Sequence, residues 1–135
     1  MRYFIFADKD ATLYEASSSM NTGLDEILEV EKAMNLAATT ITVSRPVIKF
    51  DISEISSSIV SGIIPTTARF YLNLYDAGSA GLLVTQSLFA YPVSQSWQMG
   101  QGHYYDEPKT TTGVSWRYRD PNTEWISGSS DVGGL

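Results

Sequence analysis

Apolar and polar residues alternate with a period of two along much of this chain, the signature of β-strands with one face in water. The pattern is clearest between Ser44 and Ala77. In residues 47–52 the apolar Ile48, Phe50 and Ile52 alternate with Lys49 and Asp51. In residues 68–76 Ala68, Phe70, Leu72 and Leu74 alternate with Arg69, Tyr71, Asn73 and Tyr75. This predicts two buried strands, with Ile48, Phe50 and Ile52 as core. Between them, residues 53–65 carry a serine run, one glycine and one proline, which predicts a short helical turn and a crossover loop.

The remaining elements follow in the same way. Residues 2–7 are so uniformly apolar that a strand covered on both faces is expected. Residues 11–15 resume the alternation, with Leu13 pointing inward. The loop 17–23, SSSMNTG, is rich in side chains that hydrogen-bond their own backbone. Residues 24–34 carry a conflict. Leu24, Ile27, Leu28 and Glu31 have helical spacing behind a cap-like Asn21 or Thr22, whereas residues 27–32 also read as a strand with Leu28 and Val30 inward. The surrounding strands favour the second reading. Residues 40–43 are β-branched and lead into the strand at 47–52. Residues 82–93 predict a strand with Val84, Leu88 and Ala90 inward, ended or placed at an edge by Pro92. From Ser94 the chain turns irregular, with Trp97 expected to plug one end of the fold. Residues 114–119 then alternate Val114, Trp116 and Tyr118 against Ser115, Arg117 and Arg119. A single domain over residues 1–126 and a tail over 127–135 complete the expectation.

Composition narrows the function classes. The 135 residues are 43% hydrophobic and only 18% charged, which favours a globular chain with a Ser/Thr-rich surface. A net charge of −6 repels nucleic-acid backbones and anionic lipid, so neither is an expected partner. Proteins or neutral glycans fit better. Without cysteine there is no disulfide framework and no thiolate chemistry. The opening MRYFIFADKD has too short an apolar run before Asp8 and Lys9 for an export signal, and no stretch is long enough for a membrane helix.

Candidate chemistry is sparse. His103 is the only histidine, and neither G-x-S-x-G nor H-E-x-x-H occurs, so no hydrolytic triad or histidine-based metal site is expected. Asp8 with Asp10 and Asp106 with Glu107 are the carboxylate pairs that a glycosidase or a structural calcium ion would need. Neither sits in a calcium-loop pattern, and solvated turn charges are the simpler reading. No cofactor is expected. Aromatic residues carry the strongest binding signal: Tyr71 and Tyr75 on the outward face of 68–76 beside Asn73, and Tyr104, Tyr105 and Trp125 in loops. Such rings pack under loops, anchor protein interfaces or stack on sugars.

Taken in order, several motifs resemble a known family. D-A-T-L-Y opens the series, followed by N-T-G before L-x-V, then R-x-x-I-K-F-D-I-S, a serine-rich turn, A-R-F-Y-L-N-L-Y, W-Q-M-G-Q-G and G-V-S-W. Together they look like DNRLRE-type jelly-roll modules, relatives of carbohydrate-binding β-sandwiches. The middle and late segments are similar to small virion structural proteins of contractile-tailed bacteriophages. The resemblance covers about residues 10–125 and implies an all-β, antiparallel jelly-roll sandwich in a virion, binding other virion proteins as a homo- or hetero-oligomer. A glycan-binding module recognising a surface polysaccharide is the alternative. Met99 stands where the family often has an acid, which removes any role for that carboxylate. Such modules usually continue with further strands, so the resemblance also implies an open sheet edge that accepts a strand from another chain, and residues 2–7 are the segment expected to exchange.

Overall fold

The longest strand in the computed structural model grows from the β-branched run at 40–43, which continues without a break into the next apolar segment. Residues 2, 4–35, 37, 39–77 and 87–126 are described. Strand β1 spans Ala7–Tyr14, β2 Glu31–Asn35 and β3 Thr40–Phe50. Helix α1 spans Ile52–Val60, β4 Tyr118–Asp120 and β5 Thr123–Glu124. β1, β3 and β2 form an antiparallel sheet in that order, and β4 pairs with β5 in a separate two-stranded sheet. Strand thus outweighs helix among the described residues, as in an all-β fold. The chain divides into two compact units, one of residues 1–5 and 51–92, the other of residues 6–50 and 93–135.

In the second unit the β1–β3 register decides what is buried. Ala11 lies opposite Val47 and Leu13 opposite Arg45, and paired residues present their side chains to the same face. Ala11, Leu13 and Val47 form a core there with Trp97, Val114 and Trp125. Each large apolar side chain buried this way contributes about 1.5–3 kcal/mol. Lys9 and Arg45 lay their cations over Trp97 and Trp116, with ring-centroid distances of 5.6 and 5.1 Å. Val47 therefore takes the core position expected of Ile48, Phe50 and Ile52. Ile48 and Phe50 are half-buried, and Ile52 opens α1 exposed. Pro46 fits inside β3 because its partner Thr12 turns its backbone N–H and C=O away, to the Thr22 hydroxyl. On its other side β2 pairs only as far as Ser44. The missing proline donor interrupts no ladder.

Residues 20–23, expected as a surface loop, are buried instead. The Asn21 side chain is fully enclosed, and its amide nitrogen donates to Met99 O at 2.7 Å and Val114 O at 2.8 Å. Its amide oxygen accepts from Gly102 N at 2.8 Å and Gly23 N at 3.4 Å. The Asn21 backbone N–H donates to Thr110 O at 2.8 Å. Glycine is required around it. Gly100 and Gly113 have φ of 81° and 129°, and a Cβ at either would collide with the Asn21 amide. Next door, the Thr22 hydroxyl acts as a fragment of β-strand, accepting from Thr12 N at 3.2 Å and donating to Thr12 O at 2.7 Å.

Several expected strands differ. Thr12 Oγ1 accepts from Glu29 N, and Tyr14 holds the Glu29 carboxylate, so residues 27–30 join neither helix nor ladder and β2 starts at Glu31. Val30 is exposed rather than inward. Asp8 and Asp10 lie inside β1 rather than in a turn. At 114–117 Val114 N bonds Gln98 O and Ser115 N closes a turn onto Tyr118 O, which replaces the expected alternation by consecutive burial of Val114 and Ser115. Phe4 and Phe6 are exposed, not covered, and strand structure starts only at Ala7.

In the first unit the expected helical turn is a nine-residue helix, α1. Asp51 caps it by accepting from Ser53 N at 2.8 Å, the usual role of a short acidic side chain at an N-terminus. Ile64, buried beyond the helix end, is held by a bond from its N–H to Ser58 O. Residues 68–77 and 87–92 form no ladder, and Phe70, Leu72, Leu74, Leu88, Phe89 and Tyr91 are exposed. Of the inward side expected for 68–76, Phe70, Leu72 and Leu74 are thus exposed, and only Ala68 is half-buried. Val84 and the expected tail lie outside the described residues.

Thr22→Val keeps the shape and removes the hydroxyl, leaving Thr12 N–H and C=O unpartnered, so urea unfolding is expected to show a loss of about 2–4 kcal/mol. Thr22→Ser retains both bonds and is expected to lose only about 1 kcal/mol.

Candidate functional site

The sequence-derived candidates separate into two groups. Tyr71, Asn73 and Tyr75 all lie exposed in the first unit, Tyr75 at 93%. They share that exposure with Phe70, Leu72 and Leu74, so both faces of this alternating segment are in water. Trp125 belongs to the second unit and is buried in its core: it is 6% exposed, and its indole N–H donates to Ser115 O at 2.9 Å. A half-apolar ring with one satisfied donor is a core component.

Tyr104 and Tyr105 are also in the second unit, on a turn that Asp106 organises. The Asp106 carboxylate accepts from His103 N at 2.9 Å and from the Thr110 hydroxyl at 2.8 Å. These two donors, the His103 backbone first, hold its carboxyl below the ordinary range. Asp106 is therefore a turn-forming residue, and His103 is a member of the same turn. Lys109 reaches back to donate to Tyr104 O at 2.7 Å. Tyr104 stacks edge-on to Tyr105 with centroids 5.2 Å apart, and lies 5.1 Å from Tyr14.

Tyr14 leads to a cleft that the sequence did not disclose. The cleft has a volume of about 200 Å³ and is lined by Tyr14, Glu15, Glu29, Glu31, Ser44 and Tyr104, with Ala16, Thr42 and Val43 completing the wall. It sits on the sheet face opposite the core. Ser44 of β3 pairs with Tyr14 of β1 on one side and Glu31 of β2 on the other, so the three side chains form one cross-strand row. Glu29 Oε2 accepts from the Tyr14 hydroxyl at 2.9 Å, and Glu15 Oε2 accepts from Val43 N at 2.9 Å. Burial first, and the Glu29 carboxylate second, raise the Tyr14 phenol well above its ordinary value. Ser44 is 3% exposed, and its hydroxyl has no hydrogen-bond partner among the described residues. Of the lining residues, Glu29 and Glu31 are marked in the sequence as outward positions of the strand expected over 27–32 and Tyr104 as a loop aromatic, and nothing in the spacing joins them to Tyr14 and Ser44.

Among the described residues no group of three His, Asp or Glu side chains is arranged to hold a metal ion, and no helix is long and apolar enough to cross a membrane. No family model matches the chain, and no curated protein or solved structure is significantly similar to it.

The neutral Tyr14 phenol is favoured in the folded state, so the unfolded chain gives up this proton first as pH rises. Its contribution to stability is expected to be complete below about pH 10 and to fall above it. Spectrophotometric titration should show a phenol ionising above the ordinary tyrosine range, and Tyr14→Phe should remove that late step.

Proposed function

We propose that the protein is a non-enzymatic structural subunit that self-assembles, a jelly-roll component of a bacteriophage virion as its motif order suggests. The observation that carries this reading is the exposed apolar surface at 68–77 and 87–91, where Phe70, Tyr71, Leu72, Leu74, Tyr75, Leu88, Phe89 and Tyr91 all face water. So many exposed large apolar side chains in two short segments are unusual on a free monomer and typical of surface that a neighbour covers. The segment 68–75 alternates as a strand does, yet takes part in no ladder among the described residues. Strand addition between copies would supply one.

A second copy of the same chain is the favoured partner because the chain carries both halves of such a contact. One half is the alternating segment 68–75; the other is the pair of sheets, of three and two strands among the described residues, whose outer strands are edges that a further strand can extend where no side chain already caps them. Completed in this way, the segments 68–76 and 87–93 become strands of a jelly roll in the assembly. In that state the virion is the expected location, with other virion proteins as further neighbours. The glycan alternative has less support, since only Arg69 and Asn73 are polar neighbours on the Tyr71–Tyr75 side of the segment.

Sedimentation velocity tests this directly. The purified protein is expected to self-associate as concentration rises, and hydrogen exchange at 68–76 should slow with association. Tyr71→Ser with Tyr75→Ser should abolish both effects while changing stability by no more than about 0.5 kcal/mol, as exposed substitutions do. A monomer at all concentrations, or association unaffected by the double variant, would contradict the proposal. Mass spectrometry of purified particles then tests the virion assignment separately.

A further inference from the structure

We infer that the cleft between Tyr14, Glu31 and Tyr104 is a receptor for a single arginine side chain presented by a protein partner. Its lining has three carboxylates, Glu15, Glu29 and Glu31, and no basic residue. Glu15 and Glu29 each have one oxygen engaged, whereas the Glu31 carboxylate makes no hydrogen bond or ion pair with another described residue. The cleft therefore holds unneutralised negative charge beside two aromatic rings. That combination suits a cation with a flat face, since guanidinium stacks on tyrosine and bonds carboxylates through a fork of N–H donors.

A second observation is independent of the charge. Ser44 Oγ is buried without a partner, and the register of β3 with β1 and β2 directs it to the same face as Tyr14 and Glu31, which line the cleft. An unsatisfied buried hydroxyl is costly, and a guanidinium N–H entering the row offers it the missing bond. Size selects among ligands. At about 200 Å³ the cleft falls below the ~300–1,000 Å³ of sites for drug-sized molecules, so one side chain fits better than an oligosaccharide. The structure already contains a smaller version of the same chemistry: Lys109 lies over the Tyr104 ring, 5.5 Å from its centroid.

This inference concerns the second unit alone and does not depend on the assembly reading, because it is tested on protein that sediments as a monomer. The probe is acetyl-arginine amide, titrated into isotopically labelled protein and followed by NMR. Saturable shifts are expected at Tyr14, Glu31, Ser44 and Tyr104, weakening as sodium chloride is added. Glu31→Gln is expected to weaken binding about two- to fivefold, the effect of losing one exposed carboxylate partner. Acetyl-citrulline amide, which has the same shape without the charge, should produce no saturable shift. The inference is overturned if the citrulline probe binds equally, if salt and Glu31→Gln leave the affinity unchanged, or if arginine produces no shifts in the cleft. It is likewise overturned if methyl glucoside or calcium chloride saturates the same residues where arginine does not.

Discussion

A single buried amide fixes the geometry of the larger unit. Asn21 has two donors and one acceptor oxygen on its side chain, and the surrounding backbone fills every one of them. Isolated burial of such a group costs roughly 2–7 kcal/mol, so the amide is tolerable only where all its partners are in place. That condition links residues 20–23 to 99–102 and 113–114, segments far apart in the chain that have little regular structure of their own. The glycines at 100 and 113 follow from the same constraint, because side chains there would occupy the space of the amide.

The two faces of the sheet divide the work. One face carries Ala11, Leu13 and Val47 into the tryptophan-rich core, and the Asn21 contacts bring Val114 and Met99 up against it. The other face carries Thr12, held to Thr22, and then the row of Tyr14, Ser44 and Glu31. Because the 20–25 segment is anchored at Asn21 and Thr22, Asp25 is placed to accept from Tyr104 N at 3.0 Å. The wall of the cleft that Tyr104 provides is thus a consequence of the amide lock a few residues away.

The sequence disclosed strands where period-two alternation coincided with pairing, as at Leu13 and along the β-branched start of β3. It disclosed a short helical turn from the serine run, glycine and proline of 53–65, but not the cap, because Asp51 reads as the wet face of the preceding strand. Alternation alone misled at 68–76, where the pattern is correct for a strand but ladder partners are non-local and absent among the described residues. It also assigned the core to Ile48, Phe50 and Ile52, since which side of β3 faces inward depends on the register with β1. The Asn21 lock is hidden in what reads as an ordinary polar loop, for Asn-Thr-Gly is turn-forming in isolation. Its signal was distributed: one asparagine, and glycines at 23, 100, 102 and 113 that acquire meaning only together. The cleft was illegible for the same reason, being assembled from β1, β2, β3 and a loop sixty residues later.

If the amide lock is the constraint on which the unit depends, removing it should cost far more than a polar loop residue would. The direct measurement is the urea unfolding free energy of Asn21→Ala against the unaltered protein. A loss of about 3 kcal/mol or more is predicted, because Met99 O, Val114 O and Gly102 N are each left buried without a partner. A loss below about 0.5 kcal/mol, the range of ordinary surface substitutions, would contradict the account.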